Sequence, residues 1–212
     1  MLSPTAFENP CPTMTEVNAS SEAPRLEPID RPDSWWMRLV YWITKRTLGR
    51  VITPVKVVNA RVPGSASVAQ KMNATEKQLS IDPELRFLIK SYVATLNGCS
   101  FCIDIAQASA QDQGISIEKY DALLQYETSD VFSPRERAAL VYVEEATRST
   151  SVTDATFDAL RTHFDDRAIA ELTWLNAMEN YYNLLNRPLN IGSDKLCAIR
   201  SDIEATPARH AA

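Results

Sequence analysis

The chain has 212 residues and a formal net charge of −5, with 45% hydrophobic and 23% charged residues. Length and apolar content suit one globular domain with a core of useful size, and the acidic balance leaves no nucleic-acid footprint. Four scattered cysteines exclude a disulfide-stapled secreted domain, no run of about 18 apolar residues offers a membrane span, and the start lacks a basic segment followed by an apolar run, so a reducing cytoplasm is the expected setting.

Only five glycines occur, against about 15 at average usage. Hairpin-rich chains need turn glycines, so this scarcity points to helices. Residues 1–33 are rich in proline and polar residues, have no apolar period, and are expected to form a flexible arm that includes Cys11. From Ser34 the stretch SWWMRLVYWITKRTLGR places Trp35, Leu39, Ile43 and Thr47 at steps of four, with Trp36, Val40 and Trp42 beside them. Lys45, Arg46 and Arg50 load its C-terminal end, as the helix dipole favours. The pattern predicts an amphipathic helix packed on the domain or on a partner subunit, with a membrane-surface helix as the alternative.

DPELRFLIKSYVATLNG predicts a helix capped by Asp82, with Pro83 in its first turn. Leu85, Leu88, Ile89, Tyr92 and Leu96 form one apolar stripe, and Asn97-Gly98 supplies the stop. A second helix is expected from about Cys99 to about Gln113, closed by Gly114, and a short one from Ser116 through Leu124. SPRE at 133–136 is a capping box that opens a helix through about Arg148. Thr153 starts another through about Thr162, and Asp165 starts a long one over 166–186, ended by Arg187-Pro188. No segment alternates as a strand does. The expected organisation is one all-α domain over 34–198, with a flexible tail over 199–212.

Cys99 and Cys102, in NGCSFCIDIA, are three residues apart. On a helix such positions share a face, so the sulfurs can meet. The predicted helix begins at the pair, where unpaired N–H groups and the positive dipole end favour a thiolate. One thiol can then capture a sulfenic acid formed on the other. Two inert buried cysteines fit the spacing equally well. A zinc site needs four ligands, and only Cys11, Cys197, His163 and His210 remain, none forming a second close pair.

The segments LIKSYVATLNGCSFCIDIAQASA, GISIEKYDALLQY, FSPRERAALVYVEEAT and FDDRAIAELTWLNAMENYYNLLN, in that order over about 80–192, resemble the carboxymuconolactone decarboxylase-like superfamily, in its alkylhydroperoxidase D-like branch. The resemblance implies an all-α helical bundle that forms homo-oligomers (dimers, trimers or hexamers). It implies peroxide reduction by the dithiol, with Cys102 attacking and Cys99 resolving, and with a dithiol protein or small dithiol as reductant. No cofactor, metal, nucleic acid or membrane partner is implied.

The family's proton relay is missing. Ala106 stands where its histidine falls, four residues after the second cysteine, and Phe87 where its glutamate falls, 12 residues before the first. Glu84, one turn before Phe87, and Asp104, beside the pair, are the candidate substitutes; each is equally a first-turn acid supporting its helix. Loss of the relay leaves a second reading open, a non-catalytic helical oligomeric binding or scaffold protein of the same fold. A lyase of the decarboxylase type is a third. His163 reads as a half-exposed polar residue. Asn176, Glu179, Asn180 and Asn183 form a polar stripe that fits a solvated face, or else the lining of a pocket or a subunit interface.

Overall fold

The computed structural model describes residues 23–113 and 117–196, with the side chains of 110–117 left aside. Cys11, Cys197, His210, Gly114 and Ser116 therefore lie outside the described residues. All regular structure among the described residues is helical. Eight α-helices follow in order: α1 (Trp35–Leu48), α2 (Pro63–Glu76), α3 (Pro83–Leu96), α4 (Ser100–Gln113), α5 (Ile117–Asp121), α6 (Pro134–Ser149), α7 (Asp154–Arg161) and α8 (Asp166–Asn186). A five-residue π turn, Val55–Asn59, links the first two, and 3₁₀ turns follow α5 and α8. No helix among the described residues is long and apolar enough to cross a membrane.

The caps form where local chemistry calls for them. The Asp82 side chain accepts from Leu85 N at 2.8 Å, Asp165 from Ala168 N at 2.8 Å, and Thr153 from Thr156 N at 3.3 Å. Ser133 and Glu136 close a full capping box, each side chain satisfying the other's backbone N–H. Each of these side chains takes a donor that the first turn cannot pair internally.

α3 is the central element and packs against α4, α6 and α8. Four residues of its predicted stripe, Leu85, Leu88, Ile89 and Tyr92, are buried, and so are Phe87, Ser91, Val93 and Ala94. A helix buried nearly all round belongs at the middle of a bundle. α7 and α8 pack on α6, with Leu140, Leu160, Leu172 and Leu175 fully buried between them.

The N-terminal third departs from expectation. Residues 23–33, assigned by composition to the flexible arm, are held to the body. Arg25 N donates to Leu189 O at 2.9 Å and Ile29 N to Lys56 O at 3.1 Å. α1 forms as expected but buries a different face. Met37 and Tyr41 point inward, whereas Trp35, Trp42 and Ile43 are 75%, 62% and 47% exposed. Apolar residues occur on both sides of this helix, so period alone could not choose the face. α2 has no buried residue, and without a buried stripe it leaves no apolar period to read.

Candidate functional site

The turn between α3 and α4 builds the site. Gly98 adopts φ 61°, a left-handed conformation that glycine reaches without strain. Gly98 N then donates to Thr95 O at 3.0 Å and Cys99 N to Ala94 O at 2.9 Å. These two bonds are a Schellman closure of α3. Cys99 O in turn accepts from Ile103 N at 2.9 Å. Cys99 therefore ends one helix and opens the next, and Cys102 sits in the first turn of α4. The two sulfurs are joined as a disulfide, with the Cα atoms 5.2 Å apart.

Both cysteines are buried, at 0% and 5% exposure. Val57 of the π turn, Phe101 and Ile103 of α4, and Ile191 and Leu196 from beyond α8 pack in the same apolar cluster, with Tyr182 and Leu189 against it. One wall is polar. Asn183 Nδ2 donates to Cys102 Sγ at 3.1 Å. Asn186 Nδ2 lies 3.5 Å from Cys102 Sγ and 3.9 Å from Cys99 Sγ. Both asparagines belong to α8 and are buried.

The amide of Asn183 is fixed on both sides. Its Oδ1 accepts from Asn97 Nδ2 at 2.8 Å, and its Nδ2 also donates to Glu179 Oε1 at 2.7 Å. Asn97 donates further to Asn180 Oδ1 at 2.9 Å, and Asn180 continues to Asn176 Oδ1 at 3.1 Å. The stripe that suited a solvated face is thus a hydrogen-bonded seam running inward to the sulfurs. Glu179 is 5% exposed. Burial pushes its carboxyl up to about 7, against the opposing pull of Lys90 and the Asn183 hydrogen bond. A carboxyl poised near neutrality holds or releases a proton under ordinary conditions.

The other sequence candidates fall in different places. Phe87 is buried and its ring lies 5.7 Å from that of Tyr120, and Ala106 packs against the same core. The two relay positions are therefore filled by apolar packing. Glu84 pairs with Lys119 at 2.9 Å, and Lys119 also pairs with Glu136 at 2.7 Å. Asp104 is buried, and its Oδ2 accepts from Leu196 N at 3.0 Å, tying down the segment that covers the dithiol. His163 is exposed at the end of α7. Among the described residues no group of three or more His, Cys, Asp or Glu is placed to hold a metal ion.

Asn183 and Asn186, and Glu179 behind Asn183, are residues that sequence reasoning did not assign to the dithiol. The available signal was context: polar residues at positions 179, 183 and 186 share one helix face, and Met178, Tyr182 and Leu185 flank them with apolar bulk.

The family model of the carboxymuconolactone decarboxylase family matches residues 66–145. The chain is 31% identical over 164 residues to the uncharacterized protein YnjA of Escherichia coli (strain K12), covering 74% of this chain and 88% of that one. Among solved structures, an uncharacterized peroxidase-related protein from Ralstonia eutropha JMP134, described as an alkylhydroperoxidase AhpD core, superposes with a TM-score of 0.65 at 19% identity, over 81% of this chain and 96% of that one. The debrominase Bmp8 superposes with a TM-score of 0.69 at 20% identity, over 82% of this chain and 95% of that one. Both structural likenesses lie in the fold. Together with the identity to the Escherichia coli protein, the family match establishes that this chain belongs to the carboxymuconolactone decarboxylase family.

Proposed function

We propose that this protein is a thiol-dependent oxidoreductase that reduces a peroxide through Cys102 and Cys99. The observation that carries the reading is the paired dithiol at the start of α4 with two asparagine amides turned toward the Cys102 sulfur. Among the described residues, Cys102 has Asn183 at 3.1 Å and Asn186 at 3.5 Å, whereas Cys99 has Asn186 at 3.9 Å. In the reduced protein those donors, with the first-turn N–H groups of α4, stabilise negative charge on Cys102 above all. Cys102 is therefore the attacking thiolate and Cys99 the resolving thiol.

The steps balance as follows. The Cys102 thiolate attacks the distal peroxide oxygen, the O–O bond breaks, and an alkoxide leaves and takes up a proton. Cys102 becomes a sulfenic acid. Cys99 sulfur displaces its hydroxyl as water, closing the disulfide. A dithiol reductant, protein or small molecule, then reopens it by exchange and is itself oxidised. The apolar residues around the pair favour an organic hydroperoxide over hydrogen peroxide. We expect the protein to act as a homo-oligomer.

Purified protein supplied with cumene hydroperoxide and a dithiol reductant is expected to consume the peroxide. Cys102→Ser should fall to background and Cys11→Ser should not. Absence of consumption in the parent protein across several peroxides and reductants overturns the reading. A brominated pyrrole, the ligand class of the Bmp8 complex, belongs in the same panel, because reductive debromination also consumes two electrons, which a dithiol can supply by closing to a disulfide. The burial of both sulfurs favours one competing reading, a scaffold with inert thiols. It predicts slow alkylation of the reduced protein and unchanged behaviour when both cysteines are replaced.

A further inference from the structure

Glu179 has no part in the scheme above, yet it shares a donor with the reacting sulfur. Asn183 Nδ2 lies 2.7 Å from Glu179 Oε1 and 3.1 Å from Cys102 Sγ. Carboxyl and sulfur are thus held on either side of one nitrogen, in a buried pocket where charges are weakly screened. We propose that Glu179 is a positioning residue whose charge and hydrogen bond set the ionisation of Cys102, the two groups sharing one proton in the reduced protein.

The physical argument has two parts. Geometrically, Glu179 accepts one N–H of Asn183 while Asn97 donates to its Oδ1. Clamped at both ends, the amide keeps its N–H face toward Cys102. Electrostatically, an ionised Glu179 opposes a thiolate beside it, and a thiolate opposes ionisation of Glu179. The pair then loses its first proton readily and its second reluctantly, and both steps belong to the pair. In the disulfide form there is no thiol to share with, and Glu179 titrates at about 7. The other charged and titratable groups around it are Lys90 from α3, Glu76 from α2 and Tyr182 on its own helix. Lys90, paired with Glu76 at 3.0 Å, pulls the Glu179 carboxyl down more than Glu76 pushes it up, and burial outweighs both.

The proposal rests on the dithiol reading for its use in catalysis, but its test does not need turnover. In the parent protein, the carboxyl-carbon NMR resonance of the glutamate titrating near neutrality is followed against pH, once in the disulfide form and once in the dithiol form. Its midpoint is expected to lie higher in the dithiol form, because binding linkage is reciprocal. Coincident midpoints overturn the proposal. Alkylation of Cys102 against pH supplies the second readout. The parent protein should show two steps, and Glu179→Gln, which keeps the acceptor and removes the charge, should show one, with thiolate forming at lower pH. Superimposable profiles overturn the proposal, since a merely structural glutamate is replaced by glutamine without moving them. Peroxide turnover with coincident midpoints preserves the enzyme reading and removes this inference. Shifted midpoints without turnover do the reverse.

Discussion

At the scale of single residues, Glu179 is the departure that matters most, because a buried carboxyl on a core helix is retained against its own stability. Unfolded, a glutamate titrates at about 4.3. Folded, burial pushes Glu179 up to about 7. Between these values the folded chain binds the extra proton, so stability falls as pH rises through that window and levels off above it. Glu179→Gln removes the titration while keeping the acceptor for Asn183. The variant is expected to gain stability relative to the parent protein between pH 5 and pH 8, by at most about 3 kcal/mol. Denaturant midpoints at the two pH values check this, and an equal difference at both would show that Glu179 is ionised throughout.

At the scale of elements, the dithiol lies under a strap. The segment after α8 places Ile191 and Leu196 against the cysteines. Two carboxylates pin it. Asp194, 5% exposed, accepts from Thr53 N at 2.6 Å and Thr53 Oγ1 at 2.7 Å. Arg50 bonds the Asp194 carbonyl at 2.8 Å. Asp104 holds Leu196 N at 3.0 Å. Ile191 and Leu196 of this segment and Val57 of the π turn pack over the buried sulfurs, so loosening the segment's anchors is expected to open access to them. Asp194→Ala removes charge-assisted bonds of about 1.5–3 kcal/mol. In the reduced protein, iodoacetamide should therefore label Cys102 about 10- to 100-fold faster than in the parent, as counted by mass spectrometry over time. An unchanged rate would mean that access runs by another route.

At the scale of the whole molecule, opposing carboxyl groups shape stability against pH. Burial opposes ionisation of Glu136, but Lys119 and Ser133 outweigh it and hold the carboxyl below the usual range. Burial likewise opposes ionisation of Glu144, and Tyr92, Arg148 and Tyr126 outweigh it. Groups lowered in this way add stability above their unfolded values and lose it as pH falls through their folded values. Combined with Glu179, they predict thermal midpoints that rise from strongly acid pH, peak on the mildly acid side, and decline toward pH 7. In Glu179→Gln the decline should disappear, and melting curves from pH 3 to pH 8 test both limbs. The sequence by itself determined the helical class, the family, the cap at Asp82, the box at Ser133 and Glu136, and the helix start that brings Cys99 and Cys102 together. The caps and the helix start depend on residues a few positions apart, within one or two turns of chain, whereas the class and the family were read from composition and from segments in order over about 80–192. Only the tertiary structure decided which face of α1 is buried, that α2 exists without a core face, that Asn183 and Asn186 turn toward the sulfurs, and that Glu179 is buried against Asn183. Those outcomes depend on which distant element covers each face. A polar stripe on α8 reads the same in sequence whether water or a buried dithiol lies against it.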